Sequence, residues 1–352
     1  MRATIQHWAW RVEPRERELL SSFLTRMAWR HGSSPARFCD LHFPGLSVWN
    51  RDIDRSAPVG LIRAIAAKAD LPADRIGRMT LRAAERRLSR SAGSGVASWI
   101  NPVGVYHRLR RLHGLQYCPR CLADQGSYDK TWRLTFVTVC SVHRVRLRDG
   151  CPHCDAPVLP HRQLPHALRC HACHLSISQV SSEREAPSYA VGTFQQNCLS
   201  ALERGTAWVG EQRIGAAAYF RGLRMIASAY LQASGSLSAA NNRGSERNSL
   251  ERSRVAMRHD QMEACFSLLD NWPDAFLAFA REQHWTQRVF ARGALPRWIS
   301  KVVGTLPAGH TRSTGRRNSL RLQLEALGRR KPMGWRSERA ALLCAATLVK
   351  RP

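Results

Sequence analysis

Hydrophobic residues near the N-terminus recur at helical spacing. In EPRERELLSSFLTRMAWRHG, Pro14 suits a first helical turn and Gly32 suits the position after a helix C-terminus. Between them the apolar positions fall three or four residues apart, and they are Leu20, Phe23, Leu24, Met27 and Ala28. The pattern predicts an amphipathic helix, followed by a shorter helix that Ser34 caps and Pro44 ends.

Three further helical runs follow in APVGLIRAIAAKADLPADRIGRMTLRAAERRL, with breaks at Pro72 and near Thr80. Short helices joined by tight turns can form a helix-turn-helix unit that reads DNA. They can equally form an ordinary three-helix packing unit, and the spacing leaves both open. In the DNA-reading interpretation, Arg82, Arg86 and Arg87 form the basic face and are candidate nucleic-acid contacts.

The pattern after residue 180 is again helical, with polar interruptions. Helical spacing is found in CLSALERGTAW, AAAYFRGLRMIASAYL and QMEACFSLLDNWPDAFLAFAREQHW, and later in SERAALLCAATLV. The segment ASGSLSAANNRGSERN, residues 233–248, is rich in Gly, Ser and Asn and predicts a flexible loop. We therefore expect a mainly α fold.

Charge points to a class of partner. The chain has 54 Lys and Arg against 26 Asp and Glu, and the formal net charge of +28 indicates a polyanion such as DNA. Arg108, Arg110 and Arg111 are further candidate nucleic-acid contacts. The chain has no run of ~18 apolar residues and no secretory cleavage pattern, so we expect a cytoplasmic protein without a membrane partner.

Most of the eleven cysteines fall in four CxxC or CxxH pairs within one short window. The first set is Cys118, Cys121, Cys140 and His143, and the second set is Cys151, Cys154, Cys170 and Cys173. A CxxC turn can place two thiolates on one tetrahedral ion at ~2.3 Å, and a second turn completes four-coordination. The spacing predicts two tandem zinc-ribbon or zinc-finger modules with short strands, each holding one structural Zn²⁺.

Several alternatives to this ligand assignment stay open. His153, His171 or His174 could replace a cysteine of the second set, and alternate pairs could share an ion in a cross-braced arrangement. Catalysis is not expected, because four protein ligands leave no position for water and neither HExxH nor GxxxxGK[ST] occurs. A thioredoxin-type role would need one exposed CxxC rather than two spaced sets.

The residues around the ligands have two interpretations each. Arg120, Arg144 and Arg169 adjoin ligands and could either balance the thiolate charge or contact phosphate. Tyr128 and Trp132 could stack on bases, or they could form the core that so small a module needs.

The stretch CPRCLADQGSYDKTWRLTFVTVCSVHRVRLRDGCPHC resembles the TniQ family pattern of CPxCL, an acidic position, Tyr, Trp, CxxH, Leu and CPxC. Upstream, Pro14 and ELLSSFLTR resemble the family opening P..ESLxSWLxR, and DLPADRIGRMTL resembles its helical segment ending in MTL. Leu19 replaces the usual Ser, Phe23 replaces the usual Trp, and the second module is unusually His-rich. The resemblance spans roughly residues 10–175.

This resemblance implies a target-site selection subunit of a bacterial Tn7-like or Tn5053-like transposon, similar to TnsD. Such a subunit links target DNA, or a CRISPR Cascade-type guide-RNA complex, to an AAA+ regulator of the TnsC or TniB type and to the transposase. The expected organisation is a helical TniQ region with helix-turn-helix-like helices over 1–103, the zinc module over 104–179 and a basic helical region over 180–352.

Two other functions compete with this one. The first is a stand-alone, sequence-specific DNA-binding protein, and the second is a nuclease or transposase with scattered acidic ligands. Some relatives form a head-to-tail dimer, and here the helix predicted from Pro14 to His31 could either serve as a self-interface or be buried in its own domain.

Overall fold

The computed structural model describes residues 7–88, 97–103, 114–164, 168–178, 189–233, 250–291 and 293–309. Within these ranges the chain is mostly helical with one small sheet, and the prediction of a mainly α fold with two cysteine-rich modules is confirmed. The predicted loop at 233–248, apart from Ala233, and the helical pattern in SERAALLCAATLV lie outside the described residues. None of the described helices combines the length and hydrophobicity that crossing a membrane would require.

The elements follow one another in chain order. The helices of the first half are α1 (Leu20–Arg30), α2 (Pro35–His42), α3 (Ile53–Ser56), α4 (Val59–Ala69), α5 (Ala73–Arg78), α6 (Arg82–Leu88) and α7 (Pro119–Gln125). The second half contains α8 (Tyr189–Arg204), the strands β1 (Thr206–Val209) and β2 (Gln212–Gly215), and the helices α9 (Ala216–Ala233), α10 (Val255–Asp270), α11 (Asp274–Glu282) and α12 (Arg297–Val303).

The N-terminal helices α1 to α5 surround a hydrophobic core of their own. Helix α2 begins at Pro35 with the Ser34 hydroxyl accepting a hydrogen bond from the Arg37 amide, as the sequence predicted. Helix α1 begins later than Pro14, because the amide of Leu19 donates to the carbonyl of Tyr128 at 2.9 Å instead of continuing a helix. The predicted start at Pro14 was therefore wrong, whereas Gly32 does adopt the left-handed conformation expected after a helix, with φ of 62°.

The predicted breaks between the next helices are confirmed. Helix α4 ends where Asp70 takes a left-handed conformation with φ of 57°, and α5 begins directly after Pro72. Helix α5 ends before Thr80, and α6 follows. The first two of these helices pack against each other.

A larger hydrophobic core joins the cysteine-rich region to helices α8 to α12. Trp99 is one of its central residues, with its indole donating to the carbonyl of Phe220 at 2.9 Å and its amide donating to the Glu251 carboxylate at 2.9 Å. The sequence pattern placed Thr206, Ala207 and Trp208 in a helix, and this was wrong. Gly205 ends α8 with φ of 76°, and the chain then forms the antiparallel hairpin of β1 and β2.

Two candidate metal centres

Three of the four ligand pairs lie on turns with the same backbone hydrogen bonds. In each turn the amide of the first cysteine donates to the carbonyl five residues later, and the amide four residues later donates back to the cysteine carbonyl. The first set of bonds is Cys140 to Val145 at 2.8 Å, Cys151 to Ala156 at 2.9 Å and Cys170 to Leu175 at 2.8 Å. The returning bonds come from Arg144, Asp155 and His174, which have positive φ values of 52°, 56° and 62°. This closed turn holds the two ligands of a pair on one side of the chain.

The remaining pair uses a helix instead. Cys118 precedes α7, Pro119 occupies its first position, and Cys121 lies in its first turn. The amide of Leu122 donates to the Cys118 carbonyl at 2.9 Å. A thiolate at this position is favoured by the positive end of the helix dipole.

The first centre brings Cys118, Cys121, Cys140 and His143 together, with one ligand atom of each within 4.8 Å of the others. The Sγ atoms of Cys121 and Cys140 are 3.5 Å apart. The Nδ1 atom of His143 is 3.2 Å from Cys121 Sγ, 3.6 Å from Cys118 Sγ and 3.7 Å from Cys140 Sγ. A tetrahedral ion with ligands at zinc distances requires ligand atoms about 3.5–3.8 Å apart. Three of the four separations lie in this range, and the one from His143 to Cys121 is slightly shorter, so the ligand set fits a divalent metal.

The second centre brings together Cys151, Cys154, Cys170 and Cys173 in the same way. The Sγ atoms of Cys151 and Cys173 are 3.6 Å apart, and those of Cys154 and Cys170 are 3.7 Å apart. These separations are far longer than a disulfide bond of ~2.05 Å and suit a tetrahedral metal. The group contains none of the neighbouring histidines His153, His171 and His174. Each set closes on its own residues, and this geometry supports sequential candidate ligands over a cross-braced arrangement.

The two centres are joined through Tyr117 and Gly150, which directly precede ligands of the first and second centre. The buried Tyr117 hydroxyl donates to the carbonyl of Gly150 at 3.0 Å. Asp149 in turn accepts the first amide of α10, from Val255, at 2.8 Å. The loop between the centres is therefore attached to a helix from the second half of the chain.

The ligands of the two centres differ in solvent exposure. All three cysteines of the first centre are buried, and His143 is mostly covered. In the second centre Cys151 and Cys170 are buried, but Cys154 is exposed and Cys173 is half-buried. Asp124 Oδ2 lies 3.5 Å from His143 Nε2, the ring nitrogen that faces away from the cysteines. A carboxylate in this position orients a ligating imidazole.

The start of α1 is bound to the first centre by a buried polar cluster. The Glu18 carboxylate, 2% exposed, accepts from the Arg26 guanidinium at 2.6 Å and from the Ser22 hydroxyl at 2.9 Å. Ser22 also accepts the amide of Tyr128 at 3.1 Å. Glu18, Ser22 and Arg26 are the polar positions of the family-like opening, and their role here is to attach the N-terminal helices to the metal-binding region.

Arg133 makes a second connection and was not singled out by its sequence. Its guanidinium is 1% exposed and contacts the carboxylates of Asp52 and Asp54 and the carbonyl of Asn101. Burial alone lowers the pKa of Arg133, but the charge and hydrogen bonds of Asp52 outweigh it and raise the pKa. Burial raises the pKa of Asp54 to about 6 against the opposing charge of Arg133. The buried Asp54 and the partly buried Asp52 explain why a cation lies here, but both are distant from Arg133 in the sequence and leave no local signal.

Tyr128 and Trp132 are part of the core. They are 2% and 6% exposed, and their rings meet edge to face with centroids 6.3 Å apart. The possibility that they stack on bases was therefore wrong. Helix α1 is also largely buried, since its residues from Leu20 to Thr25 are all covered.

The candidate nucleic-acid contacts differ from one another. Arg82 is half-buried and its guanidinium donates to the Ala57 carbonyl. Arg87 donates to the carbonyls of Leu202 and Glu203 at the end of α8. Arg86 is exposed and has no hydrogen-bond or ion-pair partner in the described part of the chain. The other three candidates, Arg108, Arg110 and Arg111, lie outside the described residues.

Two sets of cysteine and histidine side chains in tetrahedral arrangement are typical of proteins with structural zinc modules. Comparison with family models gives the narrower assignment, since the TniQ model matches residues 9–147. Over this part of its length the chain is similar to the TniQ family. The match includes the polar cluster of α1 and the whole first centre. No curated protein matches the chain significantly.

Proposed function

We propose that the protein is a target-site selection subunit of DNA transposition. The match to the TniQ family over residues 9–147 supports a role in transposition and DNA targeting. In the proposed role the protein is an adaptor that links target DNA, or a CRISPR guide-RNA complex, to an AAA+ regulator and a transposase. The observation that carries the proposal is the family match, whose motif residues Glu18, Ser22 and Tyr128 form one connected cluster beside the first centre.

Zinc is the metal that we propose for both centres. Thiolate and imidazole ligands in tetrahedral sets suit Zn²⁺, and both sets are complete with protein atoms. A bound zinc ion would supply cross-links between distant parts of the chain and no open position for water. The proposed function is accordingly non-enzymatic, with the chemistry carried out by partner proteins.

The test is a reconstituted transposition assay with the purified regulator and transposase. Wild-type protein is expected to bind about two zinc ions per chain and to direct insertion to a defined target. Cys118→Ser and Cys151→Ser are expected to lose zinc at one centre each and to reduce targeted insertion. A protein that carries no zinc, or insertion that is the same without it, would contradict the proposal.

The second candidate function is a stand-alone DNA-binding protein, favoured by the net charge of +28 and by the exposed Arg86 on α6. Helices α4 to α6 are the proposed helix-turn-helix-like unit in this case. Footprinting with purified protein separates the two functions. Protection of one sequence without any partner favours stand-alone binding, whereas recruitment of the AAA+ regulator favours the adaptor.

A further inference from the structure

The hairpin of β1 and β2 has one covered face and one open face. Val209 and Ile214 are buried on the inner face, where the hairpin contacts α8 and α9. The outer face carries Thr206 and Trp208 on β1, with Arg213 and Gly215 opposite them on β2. Trp208 is 65% exposed, a large fraction for an indole.

Trp208 and Arg213 are directly opposite each other in the strand register. Side chains in such a pair have Cβ atoms about 4.5–5.5 Å apart. The Arg213 guanidinium is turned along the strand, where its Nε donates to the Thr206 hydroxyl at 3.4 Å. Arg213 has no carboxylate partner among the described residues, so an indole and an unpaired guanidinium stand side by side on the surface.

The surroundings of the hairpin are basic. Arg204 is exposed in the last turn of α8, and Arg87 contacts the carbonyls of Leu202 and Glu203 in the same turn. Arg86 is its exposed neighbour on α6. One arginine, Arg213, therefore lies on the open face, and the other three lie at or beside the end of α8 that leads into the hairpin. The exposed acidic residues of the same segment are Glu203 and Glu211. The balance of charge suits a polyanion.

We propose that the open face of this hairpin binds the backbone and groove edge of double-stranded DNA. This inference rests on the proposed function and assigns its DNA contact to a particular surface. A two-stranded ribbon is narrow enough to enter the major groove, and a guanidinium matches phosphate or guanine. Gly215 carries no side chain opposite Thr206, and the space that a Cβ would occupy there is open.

The experiment measures binding of a labelled duplex by fluorescence anisotropy over a series of salt concentrations. Arg213→Gln is expected to weaken binding and to reduce the slope of log affinity against log salt by about one, as for one lost phosphate contact. Trp208→Ala is expected to weaken binding about tenfold with an unchanged slope, because it removes contact area without charge. Glu211→Gln, on the turn, is expected to tighten binding.

Gln212→Ala is the matched control, because Gln212 is exposed on the same hairpin but pairs with the inward-facing Val209. It is expected to bind like the wild type. All variants alter exposed side chains, and zinc content and circular dichroism establish that they fold. If the wild type binds the duplex and both Trp208→Ala and Arg213→Gln bind it equally well, the inference about the hairpin is overturned and the proposed function is not. This outcome includes the case in which the hairpin binds a protein instead of DNA. A wild type that binds no duplex would overturn direct DNA contact in the proposed function as well.

Discussion

The first and second metal centres share one turn geometry but differ in their surroundings. All three cysteines of the first centre lie in the larger core, and the centre is connected to α1 through Tyr128. The second has an exposed ligand, Cys154, and its turns reach the surface. Similar ligand chemistry can therefore serve as part of a core at one site and as a peripheral cross-link at the other. The comparison predicts different consequences when each site is damaged.

The largest effect is expected from removing one ligand at each centre. Cys140→Ser should abolish cooperative unfolding, because the apparent free energy of structural zinc binding, about 10–16 kcal/mol, is comparable to or larger than the stability of a typical domain. Cys154→Ser should lose about one zinc ion and keep a cooperative transition. Elemental analysis and thermal melting by circular dichroism provide the two measurements.

Cys39→Ala is the control for this pair, because Cys39 is a buried cysteine of the N-terminal core that belongs to neither ligand group. It should retain both zinc ions. If Cys140→Ser and Cys154→Ser lost stability equally, burial would not distinguish the centres.

The next largest effect is expected from the ionic cluster that joins the N-terminal helices to the first centre. Arg133→Met leaves Asp54 buried without its cation and should cost about 3–5 kcal/mol of unfolding free energy. The pKa of Asp54 is already raised to about 6 in the folded protein. The folded protein therefore holds this proton more tightly than the unfolded chain does, and the unfolding free energy falls as the pH rises through that value. Without Arg133 the pKa rises further, and the cost of the substitution should be greater at pH 8 than at pH 6.

Urea denaturation of both proteins at the two pH values measures this difference. Arg254→Met serves as the exposed counterpart, since Arg254 pairs with Asp155 at 2.8 Å at the surface beside the second centre. It should cost about 0–1 kcal/mol. A cost for Arg133→Met as small as that of the surface pair would show that the cluster does not stabilise the junction.

A smaller effect concerns the rate of metal loss. A chelator should remove the second zinc ion about ten times faster or more, because the exposed Cys154 can exchange while the ligands of the first centre are covered. A colorimetric zinc indicator follows the two phases. The fast phase should be missing in Cys154→Ser, and a single phase in the wild type would remove the kinetic distinction.

The smallest effect tests the turns themselves. Arg144 and Asp155 occupy the left-handed position that glycine adopts without strain. Arg144→Gly should stabilise the protein by about 0.5–1 kcal/mol. This gain is the backbone strain that glycine relieves at positive φ, minus the cost of the conformational entropy that glycine adds to the unfolded chain. Asp155→Gly should gain less, since it also loses the contacts with Arg254. Denaturant midpoints compare the two, and a larger gain for Asp155→Gly would contradict this account.

The helical fold and the pairing of ligands were predictable because their signals are local. The helix caps at Ser34 and Gly32 and the four ligand pairs are each readable within a few residues. The depth of burial was not readable in this way. The two ligand sets have the same spacing within each ligand pair in the sequence. Their difference in burial arises from contacts with α1 and with helices more than one hundred residues later.

The hairpin of β1 and β2 was not predicted, although its sequence does carry a local signal. The strand contains Thr206, Trp208 and Val209, which are residue types enriched in strands. Gly205 interrupts the helix, and a two-residue turn of Gly210 and Glu211 follows the strand. The predicted helix extended beyond Gly205 because the leucines that precede it are at helical spacing. The Arg133 cluster had no comparable signal, because a buried cation is recognised only when its carboxylates are known.

The hydrogen bond between Trp99 and Glu251 has a consequence for synthesis on the ribosome. The two residues are 152 positions apart, so at about 5–20 residues per second the glutamate follows the tryptophan by roughly 8–30 s. About halfway through that interval the last candidate ligand, Cys173, has been synthesised, but the helices that cover the ligand turns are not yet complete. Zinc capture can thus be the first long-range constraint on the nascent chain. A cell short of zinc would then leave an apolar surface open to chaperones and proteases before translation is finished.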